Sequence, residues 1–125
     1  MPVGPTPTQS GRKLIERYGG GGFRVSGEAF RGSILLCAGF ALAWPASDIA
    51  AATAESIAPI LEADPSIELV LLGCGARLVP TPATLRAALK ARGVGVEPMD
   101  TGAACRTFNV LTAEDRRVAA ALIAV

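Results

Sequence analysis

The chain has 125 residues, enough for one domain with a continuous core and no need of a metal or disulfide staple. Half of the residues are apolar and 18% are charged, which excludes a largely disordered chain. Twelve basic and eleven acidic residues leave a net charge of +1, so no global field grips DNA or RNA, and the absence of histidine excludes Ser-His-Asp and Cys-His triads, histidine metal sites and imidazole acid/base chemistry.

Residues 1–11 are rich in proline, threonine and glycine and read as a disordered tail, which leaves 12–125 as a single α/β domain. The N-terminus has no apolar core and resembles neither a secretory signal nor a transit peptide. Residues 14–18 form a strand candidate. The glycine run 19–22 reads as a flexible turn, because glycine has the most backbone freedom to lose in a regular element. Phe23, Arg24 and Val25 alternate as a half-buried strand does, and a turn over 26–28 follows. Residues 33–38 make an almost wholly apolar strand, with 40–44 as its hairpin partner after Gly39. The opening third is therefore a β-hairpin region.

The period then changes. Thr53-Ala54-Glu55-Ser56 can cap a helix with Ile57, Ile60 and Leu61 on its apolar face, and Pro59 should kink or shorten it. Residues 67–72 form a nearly continuous apolar run ended by Gly73-Cys74-Gly75, the pattern of a buried parallel strand. Thr81 as N-cap, Pro82 at the first position and Gly93 past the end bracket a second helix. With a short strand over 94–97, this predicts a right-handed βαβ unit. Asp100 or Thr101 caps a third helix running to about residue 111. Thr112 with Asp115 has the spacing of a capping box. The segment 117–125 fits either a helix, by its alanines, or a buried final strand, by its valines and isoleucine.

Parallel strands that end near Gly73 and Glu97 should place the 73–80 loop and the 100–101 helix start at one edge. Crevices beyond such strand ends are the usual ligand sites of α/β folds, and a helix N-terminus there offers N–H groups to an anion. Gly73, Cys74, Gly75, Asp100, Thr101, Arg106, Thr107 and Asn109 are the candidate ligand-binding residues. Arg106 either lines this crevice or pairs with Glu97 or Glu114. Gly73-Cys74-Gly75 alone is a weak dinucleotide signal, better read as a close-approach turn, since no third glycine follows. Cys37, Cys74 and Cys105 are an odd, widely spaced set, expected as buried free thiols in a reducing compartment. Arg106 could activate Cys105, but with no histidine base the bland reading is a small buried hydrophobe. Arg116-Arg117 reads as a solvated or paired basic surface.

Several blocks taken together are similar to one family. They are Tyr18-Gly19 with Gly21-Gly22-Phe23-Arg24-Val25, Gly32-Ser33-Ile34-Leu35, Trp44 and Leu71-Leu72-Gly73-Cys74-Gly75. To these add Met99-Asp100-Thr101, Ala104-Cys105-Arg106-Thr107-Phe108-Asn109-Val110-Leu111, Glu114 and Arg116-Arg117-Val118-Ala119-Ala120. The chain resembles a family of small domains of unknown function that includes mitochondrial complex I assembly factor three and a cytosolic adipogenesis-associated protein. The likeness covers about residues 15–125, most specifically 99–120. It implies a three-layer α/β domain with a mixed five-stranded sheet and an antiparallel last strand, which would make 117–125 a strand. The chain departs from the family at Cys74, where relatives usually carry threonine, so any ligand role of that hydroxyl is in doubt here.

The expected function is a non-enzymatic accessory or assembly-type interaction domain, with no catalytic residue, metal or cofactor. Its expected partner is a protein, membrane-associated complexes included, with no nucleic acid and no membrane insertion, and its expected location is the cytoplasm. The alternative is a small anionic-ligand-binding or enzymatic domain using the crevice at 73–80 and 100–109.

Overall fold

The computed structural model describes residues 12–125, so the tail expected over 1–11 lies outside the described residues. Strands β1 (Ile15–Gly19), β2 (Gly22–Val25) and β3 (Glu28–Arg31) form an antiparallel sheet. Its two turns are Gly20-Gly21 and Ser26-Gly27, all four residues at positive φ. That is the two-residue hairpin geometry whose twist matches the flanking strands. The glycine run is thus a tight turn. Strand β3 was not expected, because in Glu28-Ala29-Phe30-Arg31 only Phe30 offers apolar bulk; its register partner Phe23 supplies the rest.

The second sheet holds β4 (Ile34–Cys37), β5 (Phe40–Ala43), β6 (Leu69–Gly73), β7 (Gly95–Met99) and β8 (Val118–Leu122) in the order β5-β4-β8-β6-β7. β4 runs antiparallel to β5 and β8, and β6 runs parallel to β7 and β8. The last segment is therefore the buried central strand, antiparallel to one neighbour and parallel to the other. Every residue of β8 is buried. Its alanines fit because layers close on both faces, and that context overrides their helix propensity.

Helices α1 (Ala58–Leu61), α2 (Ala83–Ala91) and α3 (Thr101–Ala113) complete the layers. On one face Leu35, Val70, Leu72 and Ala121 pack with Ile57, Ile60, Leu85 and Leu89. On the other, Ile34, Leu36, Leu71 and Leu122 pack with Ala104 and Phe108 of α3 and with Phe23 and Val25 of the small sheet. Strand alternation thus assigns each sheet residue to one of two cores.

Three helix ends differ from expectation. The hydroxyl of Thr53 accepts from Ser56 N–H and that of Ser56 from Thr53 N–H, but the α-helix itself starts at Ala58, beside Pro59, and spans one turn. α2 starts after Pro82 with no side-chain cap, so Thr81 is not its N-cap. At its other end Gly93, at φ +71°, closes the helix as expected: Gly93 N–H donates to Lys90 and Val94 N–H to Leu89. Thr112 begins no capping box. It lies inside α3, which ends in the same bonding pattern, with Asp115 in the left-handed conformation and Arg116 N–H donating to Leu111.

Candidate functional site

The structure brings Gly73, Cys74, Gly75, Asp100 and Thr101 together at the carboxyl edge of the parallel strands, where Gly75 and Thr101 bond to each other and the others bond to their neighbours in the fold. Thr101 is fully buried. Its hydroxyl accepts from Gly75 N–H at 2.9 Å and donates to the Ile123 carbonyl at 2.7 Å. Its own N–H donates to Gly75 at 2.9 Å, and Cys74 N–H donates to Met99 at 2.8 Å. Each carboxylate oxygen of Asp100 lies 3.3 Å from Ala103 N–H, so Asp100 is the N-cap of α3. Two of the helix N–H groups available to an anion are therefore occupied by the chain itself.

Gly73 is a close-approach position. A Cβ there would sit 2.8 Å from Leu122 Cδ2 and 3.1 Å from Thr101 Oγ1. Cys74 is buried, its sulfur 3.3 Å from the Val79 carbonyl. The edge works as a knot joining β6, α3 and the end of β8.

The remaining candidates point elsewhere. Asn109 clamps β1 to α3: its carbonyl oxygen accepts from Ile15 N–H at 2.9 Å and its amide donates to Ile15 C=O at 2.8 Å. Arg106 is exposed and donates to the Tyr18 hydroxyl at 2.9 Å. Among the described residues it pairs with neither Glu97 nor Glu114. With Ile15, Glu16, Arg17, Tyr18, Cys105 and Asn109 it lines an open recess of about 470 Å³ that includes none of residues 73–75. Thr107 is half-buried on the same helix.

Burial pushes the Cys105 thiol up to about 12, against the pull of Arg106 and with a smaller push from Asp100. It is protonated at neutral pH and not an activated nucleophile. Glu68 gathers the basic pair: Arg116 Nε lies 3.2 Å from its carboxylate and Arg117 N–H donates to it at 3.3 Å. The Arg116 bond first and the Arg117 N–H second hold the Glu68 carboxyl below its usual range.

One feature was missed from the sequence, the outer face of the small sheet. Phe23 and Val25 are buried, so Arg24 between them faces out, and Arg17 is its direct register partner. Arg31 pairs with Gly22 on that same face. Alternation in residues 23–25 was visible, but the missing β3 hid the third arginine. Glu16 lies 3.4 Å from Arg24; among the described residues no carboxylate lies within 4 Å of Arg17 or Arg31.

Among the described residues no cluster of histidine, cysteine, aspartate or glutamate could hold a metal ion, and no helix is long and apolar enough to cross a membrane. A family model described as a protein of unknown function (DUF498/DUF598) matches residues 15–123. An uncharacterized protein of Rhodobacter capsulatus is 38% identical over 94% of this chain and 89% of its own length. NADH dehydrogenase [ubiquinone] 1 alpha subcomplex assembly factor 3 of Danio rerio is 36% identical over 88% of this chain, which spans 63% of that protein. Among solved structures, that of a Bartonella henselae protein described as an outer membrane protein is 43% identical, with a TM-score of 0.85 over 92% of this chain and 97% of that one.

Proposed function

This chain belongs to the DUF498/DUF598 family of proteins of unknown function, and from that premise we propose that it is a non-enzymatic accessory domain that docks an acidic segment of a partner protein. The context we infer is assembly of a larger, membrane-associated complex; the Danio rerio relative is named as an assembly factor of NADH dehydrogenase. The arginine face of the small sheet carries this reading. Arg17 and Arg24 stand directly opposite each other and Glu16 pairs with Arg24, while among the described residues Arg17 and Arg31 have no carboxylate within 4 Å, so an added anion would relieve the repulsion that remains. Guanidinium groups bind carboxylates in paired hydrogen bonds and are enriched at protein interfaces. The side chains an α/β enzyme would turn toward a substrate are here bonded into the fold, Thr101 and Asn109 above all. Three buried, unbridged thiols support a reducing compartment, and we assign the protein to the cytoplasm.

The test replaces Arg17, Arg24 and Arg31 together by glutamine in the native cell. Cross-linking of the wild-type protein should recover a subunit of a respiratory or comparable complex through an acidic segment. The variant, folded and no less stable, should lose that product and slow appearance of the complex on native gels. Equal cross-linking and equal assembly would overturn the reading. One observation favours a second reading, an anion site: Arg17 and Arg106 line a single recess with Tyr18. Thermal shift with phosphate and small carboxylates, on wild type and Arg106→Ala, decides it.

A further inference from the structure

A cavity of about 490 Å³ opens at the end of the large sheet away from the Gly73 loop, between the β4–β5 turn, residues 63–67 and the junction of α3 with β8. That volume lies within the ~300–1,000 Å³ of ordinary small-molecule pockets. Its apolar wall is built by Cys37, Phe40, Ile67 and Val118. Thr112 also lines it, only 1% exposed. Among the described residues two buried side-chain polar atoms have no hydrogen-bond partner, Trp44 Nε1 and Thr112 Oγ1. A helical threonine ordinarily donates to the carbonyl one turn back. Thr112 does not, and a hydroxyl left unpaired at a cavity wall fits a polar ligand atom.

Charge at the mouth narrows the ligand. Arg12, Arg116 and Arg117 line it together with Asp64 and Asp115. Arg12 is paired with Asp115, and Arg116 is hydrogen-bonded to Glu68. The Arg117 guanidinium lies 3.8 Å from Glu68, beyond hydrogen-bond distance, and keeps its donors for another acceptor. Of the three guanidinium groups at the mouth only that of Arg117 is not hydrogen-bonded to a carboxylate, and one such cation complements a monoanion better than a dianion, which Asp64 would repel. We propose that this cavity binds a small free monocarboxylate with an apolar body, its alkyl or aryl part against Phe40, Ile67 and Val118 and its head shared by Arg117 and the Thr112 hydroxyl.

The experiment titrates the isotope-labelled full chain with octanoate and, separately, with neutral octanamide, following backbone amide shifts. Octanoate should move the amides of 37–40 and 112–118 with Kd below about 1 mM, and octanamide should bind about tenfold more weakly. Thr112→Val and Arg117→Gln should each weaken octanoate about fivefold or more, and Arg117→Gln should leave octanamide unchanged. Thr112→Val keeps the shape and removes an unpaired hydroxyl, so its melting temperature should equal or exceed the wild type's. Absence of shifts at these amides at about 5 mM, equal affinity for acid and amide, or full affinity in Thr112→Val would overturn the proposal.

Discussion

Thr101 shows how one hydroxyl can close a site that its neighbours would otherwise open. It satisfies a buried N–H of the 73–75 loop and a buried carbonyl beyond β8 at the same time. Replacement by valine keeps the volume and strands both groups, each costing roughly 1–3 kcal/mol. We expect Thr101→Val to lose about 2–4 kcal/mol in urea unfolding and Thr101→Ser, which keeps both bonds, less than about 1. Equal losses would show that the methyl, not the hydroxyl, matters. The sequence located this edge correctly, because an apolar run ending in glycine marks where a parallel strand stops. It could not show which carbonyl Thr101 would reach, since Ile123 lies 22 residues away and arrives only when β8 inserts between β4 and β6. Cys74 follows the same logic: its thiol is turned to the Val79 carbonyl inside this knot.

Helix ends were legible where backbone conformation dictates them and illegible where a side chain only suggests them. Gly93 was read correctly because a left-handed residue is needed to end α2, and its open surroundings make the requirement conformational rather than steric. Gly93→Ala should therefore cost about 1 kcal/mol. Thr81, by contrast, matched a capping pattern it does not use, since Pro82 fills the cap position without a side-chain bond. Thr81→Val should then be neutral within about 0.5 kcal/mol, whereas a true cap would lose about 1. Chemical denaturation of the two variants separates the cases, and a larger loss at Thr81 than at Gly93 would reverse them. β3 and the α3–β8 junction escaped the sequence for a related reason. Strand β3 is held by its pairing to β2, and Asp115 ends α3 in a conformation usually left to glycine.

At the scale of the whole molecule the question is how the small sheet, which carries the arginine face, is held on the large one. Its polar ties include the Asn109 clamp on Ile15, the Arg106 bond to the Tyr18 hydroxyl, and Gly21 N–H donating to the Val125 carbonyl at 2.8 Å. The rest is apolar packing of Ile15, Phe23 and Val25 against Ala104, Cys105 and Phe108. Asn109 holds the β1 backbone itself, because it satisfies both backbone groups of Ile15. Asn109→Ala should cost about 1–3 kcal/mol. That loss should fall unevenly, since elements attached by few contacts open below the global unfolding energy. Amide hydrogen exchange across β1–β3 should quicken about 10–100-fold in the variant, while β6 and β8, buried at the sheet centre, keep their protection. Asn109→Asp, which retains an acceptor for Ile15 N–H but no donor for its carbonyl, should fall between. Uniform acceleration through both sheets would instead make the molecule a single cooperative unit, with the arginine face as rigid as the core beneath it.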